Sequence, residues 1–274
     1  MPDTWLPVEA DAETISARYP TPLMALADGT VPAFVLRGAH PAADCADLMA
    51  RFDKRRYFSR DTVGQEAQLS GGPYLDLGTS LGRVGANPDE FFAHADRTRA
   101  LFPQLFDGLA DPVQTIYRNL SLLASGKTVK TAEEADGRRY GPAIFRIYHG
   151  QEGHKAHIDS VRRRSKTNYA VSRFTHQFAA VMCMQKGSVG GEATLYQAKG
   201  EGEVGEIVQR GEFPAYAEAH QVPRVQVELN VGDLYFFYTE NIHEVPQVVR
   251  TQTRVVLAAF FAMSPEDEEI FVWS

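Results

Sequence analysis

The sequence predicts a mainly β protein with a helical N-terminal half, an α+β arrangement in which helices pack on a sandwich or jelly roll. Three observations predict it. Up to about residue 139 the apolar residues recur at helical spacing. From Pro142 onward, short β-branched and aromatic runs alternate with Gly, Asn, Asp and Pro. The helices gather before the strands instead of alternating with them, which argues against βαβ units.

In the first half, a short strand over residues 31–36 precedes a helix over 41–54. Pro41 suits a first helical turn, and Cys45, Leu48, Met49 and Phe52 share one side. Asn87-Pro88 opens another helical segment, with Phe91, Phe92, Ala95, Leu101 and Leu105 on one face; Pro103 and Pro112 divide this region into pieces. Gly71-Gly72-Pro73 and residues 78–85 read as loops.

In the second half, strands are predicted over 143–148, 178–184, 193–196, 224–229, 234–238 and 254–262. Residues 198–223 are polar and Gly-rich and read as an insertion between strands. With no evident linker, 1–274 reads as a single domain, with a helical support region over 1–139 and a β core over 140–263.

The chain has 274 residues, enough for a full core, with 44% apolar and 23% charged residues. A net charge of -7 disfavours nucleic acid and anionic membranes as partners. Two distant cysteines, Cys45 and Cys183, suggest a reducing compartment rather than a disulfide framework. No apolar run approaches the roughly 20 residues that span a bilayer. The N-terminal residues lack a signal-peptide pattern, so a cytoplasmic location is expected.

The chemistry is concentrated in the β half. His157-Ile158-Asp159 follows a strand and a loop over 150–155. Residues i and i+2 of a strand share a face, so this imidazole and carboxylate can converge on one ion. His243 lies beyond the 234–238 strand and supplies a second imidazole. Two histidines and one carboxylate on one face are the facial triad of non-haem Fe(II) oxygenases. A catalytic zinc site uses the same donors, so the triad alone does not select the metal. Arg254 opens an otherwise apolar strand, where a buried guanidinium needs an anionic partner; a carboxylate ligand would supply it. Gly190-Gly191-Glu192 and Gly232-Asp233 fall between the two halves of the triad in the expected order.

Other residues near the triad carry two readings each. His154 is an alternative ligand, without the carboxylate at i+2. His176 reads as a packed histidine. Tyr148 and Tyr196 end strands and are candidates to bond the cosubstrate, or are core aromatics. Phe178, Met182 and Phe236 would line an apolar substrate pocket or belong to the core. Residues 161–173 hold Arg162, Arg163, Arg164, Lys166 and Arg173 and no acid: a solvated loop, or a lid that places Asn168 and Tyr169 near the substrate. Residues 64–72 are a candidate second lid.

On the ordered set His157, Asp159, Gly190-Gly191-Glu192, Gly232-Asp233, His243 and Arg254, residues 140–263 resemble the Fe(II)/2-oxoglutarate oxygenase superfamily. The resemblance implies a distorted double-stranded β-helix, a cupin-like jelly roll packed on helices. It also implies Fe(II) on His157, Asp159 and His243, with the distal carboxylate of 2-oxoglutarate on Arg254. The chain as a whole resembles the freestanding halogenases that act on hapalindole-type indole alkaloids, through Val35-Leu36-Arg37-Gly38, Gly126, Gly190-Gly191-Glu192 and Ile270-Phe271-Val272-Trp273-Ser274. Those halogenases have glycine where this chain has Asp159, and the missing carboxylate is what opens a position for halide. The implied activity is therefore a dioxygenase that uses O2 and 2-oxoglutarate to hydroxylate, or otherwise oxidise, a natural product or amino-acid-like small molecule. The competing readings are a zinc hydrolase or lyase on a cupin-like barrel and a non-catalytic β-sandwich binding protein.

Overall fold

The computed structural model describes residues 5–62, 68–70, 74–149, 153–163, 168–187, 190–247 and 253–274. The chain begins with β1 (Val8–Glu9) and two short helices, α1 (Ala12–Arg18) and α2 (Pro22–Ala27). Each is under two turns, too short for periodicity to reveal, yet each carries a start signal. Asp11 caps α1 by accepting from the Thr14 N–H at 2.7 Å, and Pro22 opens α2.

Next come β2 (Ala33–Leu36) and α3 (Ala42–Lys54), whose buried face is Cys45, Leu48, Met49 and Phe52 as the spacing predicts. β3 (Gln68–Ser70) and β4 (Leu75–Leu77) follow, then α4 (Leu81–Val84) inside the stretch that reads as a loop. Gly71-Gly72-Pro73 and, apart from β3, the candidate lid over 64–72 lie outside the described residues.

Asn87 caps α5 (Pro88–Phe106), which runs through Pro103 where the sequence suggests a division. The lost backbone hydrogen bond is outweighed by the apolar face on either side, where Leu101, Phe102, Leu105 and Phe106 are all buried. Pro112 does start a helix, α6 (Pro112–Leu123), capped by Asp111, and β5 (Thr128–Thr131) ends this half.

The second half contributes β6 (Ile144–Tyr148), β7 (His154–His157), β8 (His176–Gln185) and β9 (Ala193–Lys199). After α7 (Gly202–Gln209) and α8 (Phe213–Ala219) come β10 (Arg224–Val227), β11 (Leu234–Tyr238), β12 (Asn241–Val245), β13 (Arg254–Met263) and β14 (Glu269–Trp273). The segment read as an insertion thus contains α7 and α8 between β9 and β10.

The described strands form two sheets. The larger runs β1-β2-β11-β8-β13-β6-β4-β3, with β14 pairing β13 and β5; the smaller runs β10-β9-β12-β7. Strand alternation gives the larger sheet two apolar faces. Phe34, Phe145, Phe178, Met182, Phe236 and Leu257 pack against the helices. Ala33, Val35, Ala179, Tyr235 and Phe237 face the smaller sheet, meeting Ala193, Leu195 and Val227. Each fully buried Phe or Leu contributes roughly 1.5–3 kcal/mol, so this packing holds the two sheets face to face around what lies between them. Among the described residues, no helix is long and apolar enough to cross a membrane.

Candidate metal centre

β7 and β12 lie antiparallel with His157 directly opposite His243. Directly opposed residues project from the same face, and the two imidazole centroids are 4.3 Å apart. Asp159 lies just past the end of β7. Its position is held by its own backbone: its N–H donates to the Thr239 carbonyl at 2.9 Å, and the Thr239 hydroxyl donates to its carbonyl at 2.7 Å. Oδ2 of Asp159 then stands 3.6 Å from Nε2 of His157 and 3.7 Å from Nε2 of His243. One ligand atom from each residue falls within 4.8 Å of the others.

The donor set fits a divalent metal. Nδ1 of His157 is 2.7 Å from the Lys155 carbonyl and Nδ1 of His243 is 2.9 Å from the Asn241 carbonyl. A carbonyl only accepts, so each Nδ1 carries a proton and each Nε2 is the atom left to hold a metal at the common point. Without a metal, burial tends to raise the Asp159 carboxyl, but hydrogen bonds from the two facing imidazoles and their positive charge outweigh it and hold the group well below the usual carboxylate range. Burial, with repulsion from His157, holds His243 below the ordinary imidazole range. A carboxylate and two imidazole Nε2 atoms are what an Fe(II) or Zn(II) ion binds.

The three donors open onto a cavity between the sheets. Arg254 and Tyr148, opposite each other on β13 and β6, also line it, with the guanidinium 5.1 Å from the Tyr148 ring centre. Ala179, Val181, Phe237, Val256 and Phe260 supply an apolar lining around the few polar groups, the usual make-up of a small-molecule site. Of the residues singled out in the sequence, His157, Asp159, His243, Arg254 and Tyr148 therefore meet in one space.

Four others do not. Tyr196 points away from the cavity: on β9 its neighbours Ala193 and Leu195 pack inward, while its ring packs on Phe213 and its hydroxyl donates to the Glu244 carboxylate at 2.6 Å. Phe178 and Met182 belong to the core on the helix side of the larger sheet, where Phe178 stacks on Phe261 at 5.1 Å. The β8 residues that reach the cavity are Ala179 and Val181, one position out of phase. Asn168 is exposed and does not line the cavity.

His154 does line it, its ring stacked on His157 at 5.3 Å, but it lies outside the ligand group. His176 is a packed histidine, its Nδ1 3.4 Å from the Tyr238 hydroxyl. In the basic stretch, Arg163 pairs with Glu201 at 2.7 Å and Glu240 at 3.2 Å, and Arg173 with Glu269 at 3.1 Å. These charges are matched within the chain; residues 164–167 lie outside the described residues. Gly232-Asp233 is a structural turn. A Cβ on Gly232, at φ +87°, would sit 2.2 Å from the His40 carbonyl, and Asp233 accepts from the Gly38 and Asn230 N–H groups.

The sequence reading missed Arg146 and Tyr235, which also line the cavity, and Thr239, which anchors Asp159. For Arg146 there was a signal: a guanidinium in the middle of the apolar 143–148 run, as anomalous as Arg254.

Among solved structures, the chain is similar to an N-substituted L-amino acid dioxygenase from Burkholderia ambifaria AMMD, with 17% identity, 93% of this chain and 91% of that one covered, and a TM-score of 0.57. It is similar to the epimerase SnoN in complex with Fe3+, alpha ketoglutarate and nogalamycin RO (15% identity, 92% and 83% covered, TM-score 0.53). It is also similar to HygX from Streptomyces hygroscopicus with nickel, 2-oxoglutarate and hygromycin B bound (10% identity, 90% and 88% covered, TM-score 0.50). At these identities the likeness is one of fold. No curated protein matches the sequence significantly. The family model for the carrier-protein-independent halogenase WelO5 matches residues 3–274, and the chain belongs to that family.

Proposed function

We propose that the protein is an Fe(II)- and 2-oxoglutarate-dependent dioxygenase that hydroxylates an unactivated C–H bond of a free small molecule. The observation that carries this reading is the Asp159 carboxylate, 3.6 and 3.7 Å from the two imidazole Nε2 atoms, with the Arg254 guanidinium lining the same cavity. His157, Asp159 and His243 would hold the metal, and Arg254 the distal carboxylate of 2-oxoglutarate. The two facing sheets are then the halves of a double-stranded β-helix within a single oxygenase domain, with the helices as its support.

Fe(II) held by His157, Asp159 and His243, with 2-oxoglutarate, would supply the chemistry of O2 activation. The chain's own residues supply geometry and exclusion of water. The Lys155 and Asn241 carbonyls fix both imidazole tautomers. Thr239 fixes Asp159. The aromatic face of Tyr148 lies under the Arg254 guanidinium, which limits its rotamers before a carboxylate arrives. Ala179, Val181, Phe237 and Val256 keep the reacting space apolar.

Two features separate this reading from others. A hydrolase has no use for a dicarboxylate anchor in the cavity that holds the metal, which disfavours the zinc alternative. A retained carboxylate fills the place that halide takes in a glycine-containing site, which favours hydroxylation over halogenation. The family's carrier independence supports a free rather than tethered substrate. The test is aerobic incubation with Fe(II) and 2-oxoglutarate, followed for succinate. Succinate release by the wild type and its loss in Asp159→Ala are expected; 2-oxoglutarate left intact by the wild type refutes the proposal.

A further inference from the structure

Arg146 lies in the cavity and takes no part in the site described above. It stands in the middle of β6, opposite Val256 on β13 and Asp76 on β4. Two residues before Tyr148, it projects to the same face as Tyr148 and Arg254. Its Nε is sealed from water without a hydrogen-bond partner. Asp76, the acid opposite it, attracts it but makes its close ion pair with Arg83, Oδ2 to Nε at 2.5 Å. The rings of Tyr74 and Phe260 stand 5.7 and 5.9 Å from its guanidinium carbon. Stacking of that kind supplies no hydrogen-bond acceptor, and a buried guanidinium N–H left without one is costly.

The charged lining points the same way. Among the described residues that line the cavity, Arg146 and Arg254 are the two guanidiniums and Asp159, a metal ligand in the reading above, is the one carboxylate. In the reading above, the metal would answer one carboxylate of 2-oxoglutarate and Arg254 the other, which leaves Arg146 for a different molecule.

On the Asp159 side a second pocket adjoins the cavity, with Arg146, Asp159 and Phe260 common to both walls. Ser80, Ser160 and Gln177 give it polar edges, and Trp273 closes part of it. We propose that this chamber holds the primary substrate and that Arg146 binds a carboxylate on it, so that the enzyme acts on an organic acid. This rests on the oxygenase reading above. The planar fork of arginine matches a carboxylate in two parallel hydrogen bonds, and an acid held there lies along the wall that carries Asp159.

The test uses 4-phenylbutyrate, indole-3-propionate and N-acetyl-L-leucine, each against its primary amide. Binding to the anaerobic Fe(II)–2-oxoglutarate complex is measured by calorimetry. For at least one pair, the acid is expected to bind about tenfold or more tightly than the amide. In Arg146→Leu that preference should vanish while 2-oxoglutarate affinity stays within about twofold; Arg146→Lys should restore part of it. Without ligand, Arg146→Leu should melt close to the wild type, because the lost attraction to Asp76 is offset by removal of a buried N–H without an acceptor. Equal affinities for acid and amide, no acid binding at roughly millimolar concentration, or a loss of 2-oxoglutarate affinity in Arg146→Leu would each overturn the assignment. Failure of the wild type to bind 2-oxoglutarate at all would instead overturn the oxygenase reading beneath it.

Discussion

Replacing Arg254 by leucine isolates the cosubstrate anchor. The guanidinium sits at the start of β13, opposite Tyr148, and lines the cavity that holds the triad. Truncating one partner of a buried charge-assisted pair costs about 2–5 kcal/mol. Arg254 is only partly buried, so solvent screening places the loss toward the lower end, about 2–3 kcal/mol. At 1.36 kcal/mol per decade, that is roughly a 30- to 150-fold rise in the 2-oxoglutarate dissociation constant. Leucine keeps the aliphatic contact with Tyr148, and no ion pair to another described residue is lost, so the melting temperature should hardly move. Anaerobic calorimetry of 2-oxoglutarate binding to the Fe(II) protein measures the effect, with circular dichroism to follow the fold. A dissociation constant within threefold of the wild type would refute the assignment, because a removed carboxylate anchor cannot leave affinity unchanged.

Thr239→Val keeps the shape but removes the hydroxyl that donates to the Asp159 and Gln177 carbonyls at 2.7 and 3.0 Å; metal affinity measured by competition with a chelator should fall about tenfold or more. Phe178→Ala opens the helix-side core and should lower stability by about 3–5 kcal/mol in denaturant unfolding, with little change in 2-oxoglutarate affinity, since that ring faces away from the cavity. Burial, with repulsion from Arg97, holds His94 down at about 4 from an ordinary 6.5. The unfolded chain therefore binds the proton first. The contribution is complete above pH 6.5 and is lost as pH falls toward 4, roughly 3 kcal/mol in all. The unfolding midpoint should fall on acidification across that window, and His94→Gln should flatten the dependence.

The legible parts of the sequence were those where one residue type has one use. His157, Asp159 and His243 stood out because imidazole and carboxylate at that spacing have few other reasons to occur together, and Arg254 because a cation in an apolar strand needs a partner. Long periodic elements such as α3 were legible for the same reason. The directions of Phe178 and Met182 were not, since an apolar strand buried on both faces carries no alternation to set its phase; that of Tyr196 was hidden because the outer face of β9 is covered there by Phe213 of α8. β12 was missed because its five residues, Asn241–Val245, mix polar and apolar side chains around a bulge beside His243. Both α7 and α8 are under three turns, and their glycines and charges read as loop. Thr239 serves the site through backbone contacts to Asp159, which side-chain chemistry does not announce.

The central claim is that two imidazoles and one carboxylate hold an iron to which 2-oxoglutarate chelates. Anaerobic addition of Fe(II) and then 2-oxoglutarate to the metal-free protein addresses it directly. A weak visible charge-transfer band that saturates at one iron per chain and is absent in Asp159→Ala is the expected result. A protein that binds the metal yet develops no band with 2-oxoglutarate would contradict the claim.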